Sequence, residues 1–132
     1  MPWLEKTMKK TLRVVLALAA IVFVVIGLRW IIDPAASAAT MGMPLLEGVG
    51  RSSQVGDMTA FFLTLGILML VALISARRSW FYPPTLLLGF TAIARVLAWL
   101  VHDAALAVDM IAVEVVVAIL LLLASRLLAD RE

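Results

Sequence analysis

Four long apolar runs, at about residues 12–32, 58–76, 85–101 and 110–128, leave this chain few ways to fold. A helix rises ~1.5 Å per residue, so roughly 20 apolar residues cover a ~30 Å hydrocarbon core. The runs approach or exceed that length, the third being the shortest. None shows the apolar/polar alternation of the ~10-residue strands in a membrane barrel. Helices satisfy their own backbone groups in lipid. With 64% hydrophobic and only 15% charged residues, a soluble globule of this size could not hide its apolar surface. The expected fold is therefore all-α: an integral membrane four-helix bundle of two antiparallel helical hairpins, forming a single four-span domain over residues 1–132.

Charge distribution orients the spans. Lys6, Lys9, Lys10 and Arg13 gather at the start of the first, Arg77 and Arg78 separate the second from the third, and Arg126 and Arg131 flank the end of the fourth. The other two connections carry Asp33, Glu47 and Asp57 with one Arg51, and His102, Asp103 and Asp109. By the positive-inside rule both termini and the central turn are cytoplasmic. Trp3 and Trp80 at one boundary and Trp30 and Trp99 at the other fit aromatic belts. The competing reading is a secretory signal with Ala36-Ser37-Ala38 as its cleavage site. Against it, the apolar run is too long, and Arg29 to Pro34 intervene before the site.

The connections predict local structure. Asp33 followed by Pro34 reads as an N-cap with proline at the first helical position, and Gly42 as a stop, so Pro34 to Met41 is expected to form a short helix at the outer surface. The glycine-rich stretch from Gly42 to Gly56 is expected to turn sharply, with Ser52 or Ser53 capping the second span. That cap would put Gln54, Asp57, Phe61 and Thr64 on one face, a polar stripe entering the membrane. In the central connection, Pro84 is a fitting first residue for the third helix.

Charges inside hydrocarbon are costly, ~2.5–3.5 kcal/mol each at a helix centre, and usually face protein partners. Arg29 lies about one turn inside the outer end of the first span; Arg95 lies six residues, ~9 Å, inside the third; Glu114 lies about one turn inside the fourth. All fall in the outer half, and the inner half has no counterpart. Depth matches Arg95 with Glu114 and leaves Arg29 for Asp33 or Asp57. Arg95, Trp99 and His102 recur at i, i+4 and i+7 and share a face. An Arg-Trp-Asp order recurs in Arg29-Trp30…Asp33 and Arg95…Trp99…Asp103, which reads either as an internal duplication or as two outward-running helices with similar ends.

Three uses of this cluster stand side by side. Buried ion pairs would fix helix register while adding little net stability. Arg29 and Arg95 together would receive an anionic head group. His102, with Asp103, Asp57 or Glu114, would perform acid–base chemistry. Other classes are disfavoured. One histidine and no cysteine cannot make the usual zinc or copper set, Met41 and Met43 on the outer side being soft donors that more often serve as apolar filler, and haem lacks a second histidine. Gly50-Arg51-Ser52 is no phosphate loop. No cofactor is expected, and the basic residues read as membrane anchors, not as a nucleic-acid surface.

The segments GLRWIIDP (Gly27 to Pro34), MPLLEGVGRSSQVGD (Met43 to Asp57), RVLAW (from Arg95) and IAVEVVV (Ile111 to Val117) resemble a bacterial family of small four-helix inner-membrane proteins classified only as a domain of unknown function. The resemblance covers nearly the whole chain. It implies four spans and emphasis on Arg29, Asp33, Gly50, Arg51, Asp57, Arg95 and Glu114, and it brings no reaction, cofactor or partner.

The functional expectation is a non-enzymatic accessory subunit or binding module. Its outer polar pocket, lined by Arg29, Asp33, Arg51, Gln54, Asp57, Arg95, Trp99, His102 and Glu114, would hold a lipid, a quinone or another amphiphile, or dock a partner helix. Membrane lipids, a second copy or a larger membrane complex are the partners in view. The alternatives are a membrane enzyme using His102 and Asp103, and a small dimeric transporter.

Overall fold

A computed structural model describes residues 1–130, so the predicted charge at Arg131 lies outside the described residues. The described chain is helical: α1 (Pro2–Ile32), α2 (Pro34–Thr40), α3 (Gly48–Ser75), a 3-10 turn (Arg78–Phe81), α4 (Tyr82–Val101) and α5 (Val108–Leu127). Four helical segments, Pro2–Ile32, Gly48–Ser75, Arg78–Val101 and Val108–Leu127, are long and apolar enough to cross a membrane. The chain is a multi-pass membrane protein.

Two compact units make up the chain: Leu18–Ile67, and Met1–Ala17 with the chain from Leu68 onward. Helices α1 and α3 each contribute to both. Within Leu18–Ile67, glycine sets the approach of α1 to α3. A Cβ on Gly66 would lie 2.6 Å from the Ala20 carbonyl oxygen and from Val24 Cγ2, and one on Gly27 would lie 2.9 Å from Leu63 Cγ. Only a hydrogen fits at either position. Phe23 stacks on Phe62 with ring centroids 6.2 Å apart, and these contacts together define an antiparallel register.

The buried residues of α1 are Leu12, Leu16, Ala20, Phe23, Gly27 and Trp30, steps of three and four that trace one helical stripe. Trp30 is therefore fully buried, which corrects its assignment to a lipid-facing belt. Trp3, Trp80 and Trp99 are exposed.

The second unit is built on α4 and α5, which pack against each other and against the 3-10 turn. Phe81, Pro84, Leu88 and Ala92, and Val117, Leu121, Ala124 and Leu128, are buried in this unit. Helix α4 opens two residues before Pro84, at Tyr82, and takes both Pro83 and Pro84 into its first turn, where a missing N–H leaves no bond unmade. At the other end of α5, Arg78 Nε donates to the Ser125 carbonyl at 3.1 Å, and the Asp130 N–H donates to the Ala76 carbonyl at 2.9 Å. These bonds satisfy carbonyls that helix termini leave without intrahelical donors.

Two expected boundaries move. The first helix begins at Pro2 and not near residue 12, because hydropathy marks the lipid-compatible part of a helix and not its full length. The second long helix begins at Gly48, so Ser52 and Ser53 lie inside it and cap nothing. The sharp turn contracts to the residues between Thr40 and Gly48, where Gly42 (φ +73) and Gly48 (φ +57) take left-handed conformations.

Candidate functional site

The α4–α5 pair carries two charges at matched depth. Arg95 lies six residues before the end of α4 at Val101, and Glu114 lies six residues after the start of α5 at Val108. Each continues the packed stripe of its helix: Leu88, Ala92 and Arg95 on one side, Glu114, Val117 and Leu121 on the other. Side chains at those positions must meet. Arg95 Nε donates to Glu114 Oε1 at 2.7 Å and to Oε2 at 3.1 Å, bonds of charge-assisted length. The Glu114 side chain is 9% exposed and that of Arg95 28%. The carboxylate is enclosed while the guanidinium is open on one side.

Only Nε of Arg95 is used. Its two Nη atoms, carrying four N–H donors, have no acceptor among the described residues. Trp99, one turn further along α4, is exposed. The cap of α4 is His102, whose N–H donates to the Ala98 carbonyl, and Asp103 follows in a left-handed conformation (φ 55) while the Ala104 N–H returns to Ala98. Asp103 thereby serves a turn that few residues besides glycine, asparagine and aspartate adopt readily. His102 and Asp103 are both exposed, and no hydrogen bond joins their side chains.

The remaining site residues belong to the Leu18–Ile67 unit. Asp33 accepts from the Ala36 N–H at 3.2 Å and caps α2, with Pro34 in the first turn, as the sequence predicts. Gln54 is buried and fully engaged: Oε1 accepts from Leu46 N–H at 3.0 Å, and Nε2 donates to the Pro44 carbonyl at 3.0 Å and approaches Met43 Sδ at 3.9 Å. Arg51 Nε donates to the Leu46 carbonyl at 2.8 Å, and Leu46 lies against Gly50, where a Cβ would come within 3.1 Å. Gln54, Arg51 and Gly50 thus fasten the Met43–Leu46 segment onto α3.

The expected polar stripe does not hold together. Gln54 faces the protein, whereas Asp57 and Thr64 are exposed. Arg29 is also exposed, beside the buried Trp30, and forms an ion pair with neither Asp33 nor Asp57. Among the described residues no three imidazole or carboxylate groups are placed to hold a metal ion.

Two buried polar atoms were not anticipated. Trp30 Nε1 and Thr59 Oγ1 have no partner among the described residues, and the register of Gly27 against Leu63 brings the two to the same level of α1 and α3. The period of the α1 stripe is the signal that places Trp30 inside.

Comparison of the chain with protein-family models, with curated proteins and with solved structures yields no match.

Proposed function

We propose that this chain is a non-enzymatic binding module or accessory subunit of the bacterial inner membrane, related to the four-span family it resembles, and that Arg95 receives the polar head of an amphiphile. Its termini face the cytoplasm, following the placement of Lys and Arg. The α2 helix then lies at the opposite surface, and the α4–α5 pair opens toward that side.

The observation that carries this reading is the division of labour within one guanidinium. Nε is held by both oxygens of Glu114, which fixes the plane of the group, and the Nη pair is left to recognise something else. Donors without acceptors at membrane depth are costly, so an acceptor delivered on an apolar body suits the position. Because Glu114 already neutralises the charge, the site calls for an acceptor more than for a counter-ion. A carbonyl, from a lipid ester or a quinone, fits better than a phosphate. Exposed Trp99 offers a flat apolar surface one turn away.

The test is saturable quenching of tryptophan fluorescence by a short-chain benzoquinone, and displacement by a monoacylglycerol, in the purified full chain. Arg95→Lys retains a cation for Glu114 but loses the planar fork, so affinity is expected to fall roughly tenfold with folding retained. Equal binding by Arg95→Lys, or no saturable binding of either probe to the wild-type chain, overturns the reading.

A further inference from the structure

A second surface lies at the start of α1. Helix α1 has 31 residues, about 46 Å at ~1.5 Å per residue, whereas the hydrocarbon core is ~30 Å and the whole bilayer with its head groups ~40–45 Å. With its apolar run in hydrocarbon, the preceding ~15 Å of helix crosses the head-group layer of about 5–8 Å and continues past it. Those first three turns are continuous with the span and keep its helical phase.

That phase sorts their residues. Lys6, Lys9, Lys10 and Arg13 follow at i, i+3, i+4 and i+7 and fall within about 100° of the helix surface. Opposite them, Leu4 and Met8 prolong the i, i+4 row that is buried further on as Leu12, Leu16 and Ala20, but both are exposed, as is Trp3. Thr7 and Thr11 donate their hydroxyls back to the Trp3 and Thr7 carbonyls, each at 2.9 Å, so neither demands water. Glu5 is the one acid in this stretch and lies 3.2 Å from Lys9. Lys6, Lys10 and Arg13 have no ion-pair partner among the described residues.

We infer that the first three turns of α1 form a binding surface for anionic phospholipid head groups, independent of the Arg95 site. Phosphates of the leaflet at the N-terminal end meet the basic face. Clusters of four or more basic residues beside a span attract anionic lipid in this way. The position of the charges on one face, at and just past head-group depth, makes the contact local to these turns.

The experiment uses the full chain in vesicles of equal phosphatidylglycerol and phosphatidylcholine, followed by native mass spectrometry of the lipids retained on extraction. Wild-type protein is expected to retain phosphatidylglycerol over phosphatidylcholine by roughly tenfold, a preference that collapses in high salt. K6Q/K9Q/K10Q/R13Q should lose it, and Arg95→Lys should keep it. No preference in the wild-type chain, a preference indifferent to salt, or one abolished by Arg95→Lys but kept by the quadruple variant overturns the inference. The salt series on wild-type protein decides the matter if the quadruple variant fails to insert.

Discussion

The side chain that Gly66 lacks would collide with the Ala20 carbonyl oxygen 2.6 Å away. A backbone oxygen cannot swing aside as a side-chain tip can, so the separation of α1 and α3 at this level is set by a missing methyl group. Small residues serve membrane helices in this way because lipid gives no hydrophobic drive to association and close packing must replace it.

Gly66→Ala is therefore expected to destabilise the protein by about 1–3 kcal/mol through overpacking. Gly56→Ala is the control, since a Cβ there meets nothing within 4 Å and the change favours the helix by up to ~1 kcal/mol. Unfolding of the two variants in mixed micelles should move in opposite directions.

Removing one member of the Arg95–Glu114 pair strands the other. Arg95→Ala leaves a buried carboxylate and should cost about 3–5 kcal/mol; Glu114→Ala should cost less, because the guanidinium has an open side. R95M/E114L removes both charges and should recover most of the loss, as isosteric apolar replacement of buried pairs often does. A double-mutant cycle on thermal unfolding measures the coupling.

Gln54→Ala breaks its own two bonds to Pro44 and Leu46 and leaves Arg51 as the remaining tie to the Leu46 carbonyl. A cost of about 1–3 kcal/mol follows from leaving the Pro44 carbonyl and the Leu46 N–H without partners. Hydrogen exchange at Leu46 should accelerate while α5 amides remain unchanged.

Ala76 and Asp103 both occupy left-handed backbone conformations. Ala76→Gly should stabilise the end of α3 by about 1 kcal/mol, since alanine at that φ is strained. Asp103→Gly should be neutral or stabilising and should leave quinone binding intact, whereas an acid–base role for Asp103 requires loss of function with the fold preserved. Thermal unfolding and the fluorescence titration distinguish these outcomes.

Fold class was legible because hydropathy and helix length answer to the same bilayer thickness. Boundaries were not, for a reason visible at Gly48–Gly56: three glycines and two serines read as a loop locally, yet Gln54 and Arg51 draw the preceding segment onto them and the helix continues. Depth along the helices was enough to match Arg95 with Glu114. It was not enough for Arg29, where the decisive quantity is direction around the helix. The row Leu16, Ala20, Phe23, Gly27 and Trp30 contains that direction, and reading it would have turned Trp30 inward and Arg29 outward. At Asp103 the left-handed backbone adds a turn role that residue type alone does not reveal.

The Arg95–Glu114 contact also bears on how the protein is made. Helix α4 carries the cation and α5 its counter-charge, and either alone would enter lipid with an unmatched ion at a cost of ~2.5–3.5 kcal/mol. Entering together, they bring that ion already neutralised. Insertion of α4 and α5 as a pair therefore avoids the penalty that either helix would meet alone.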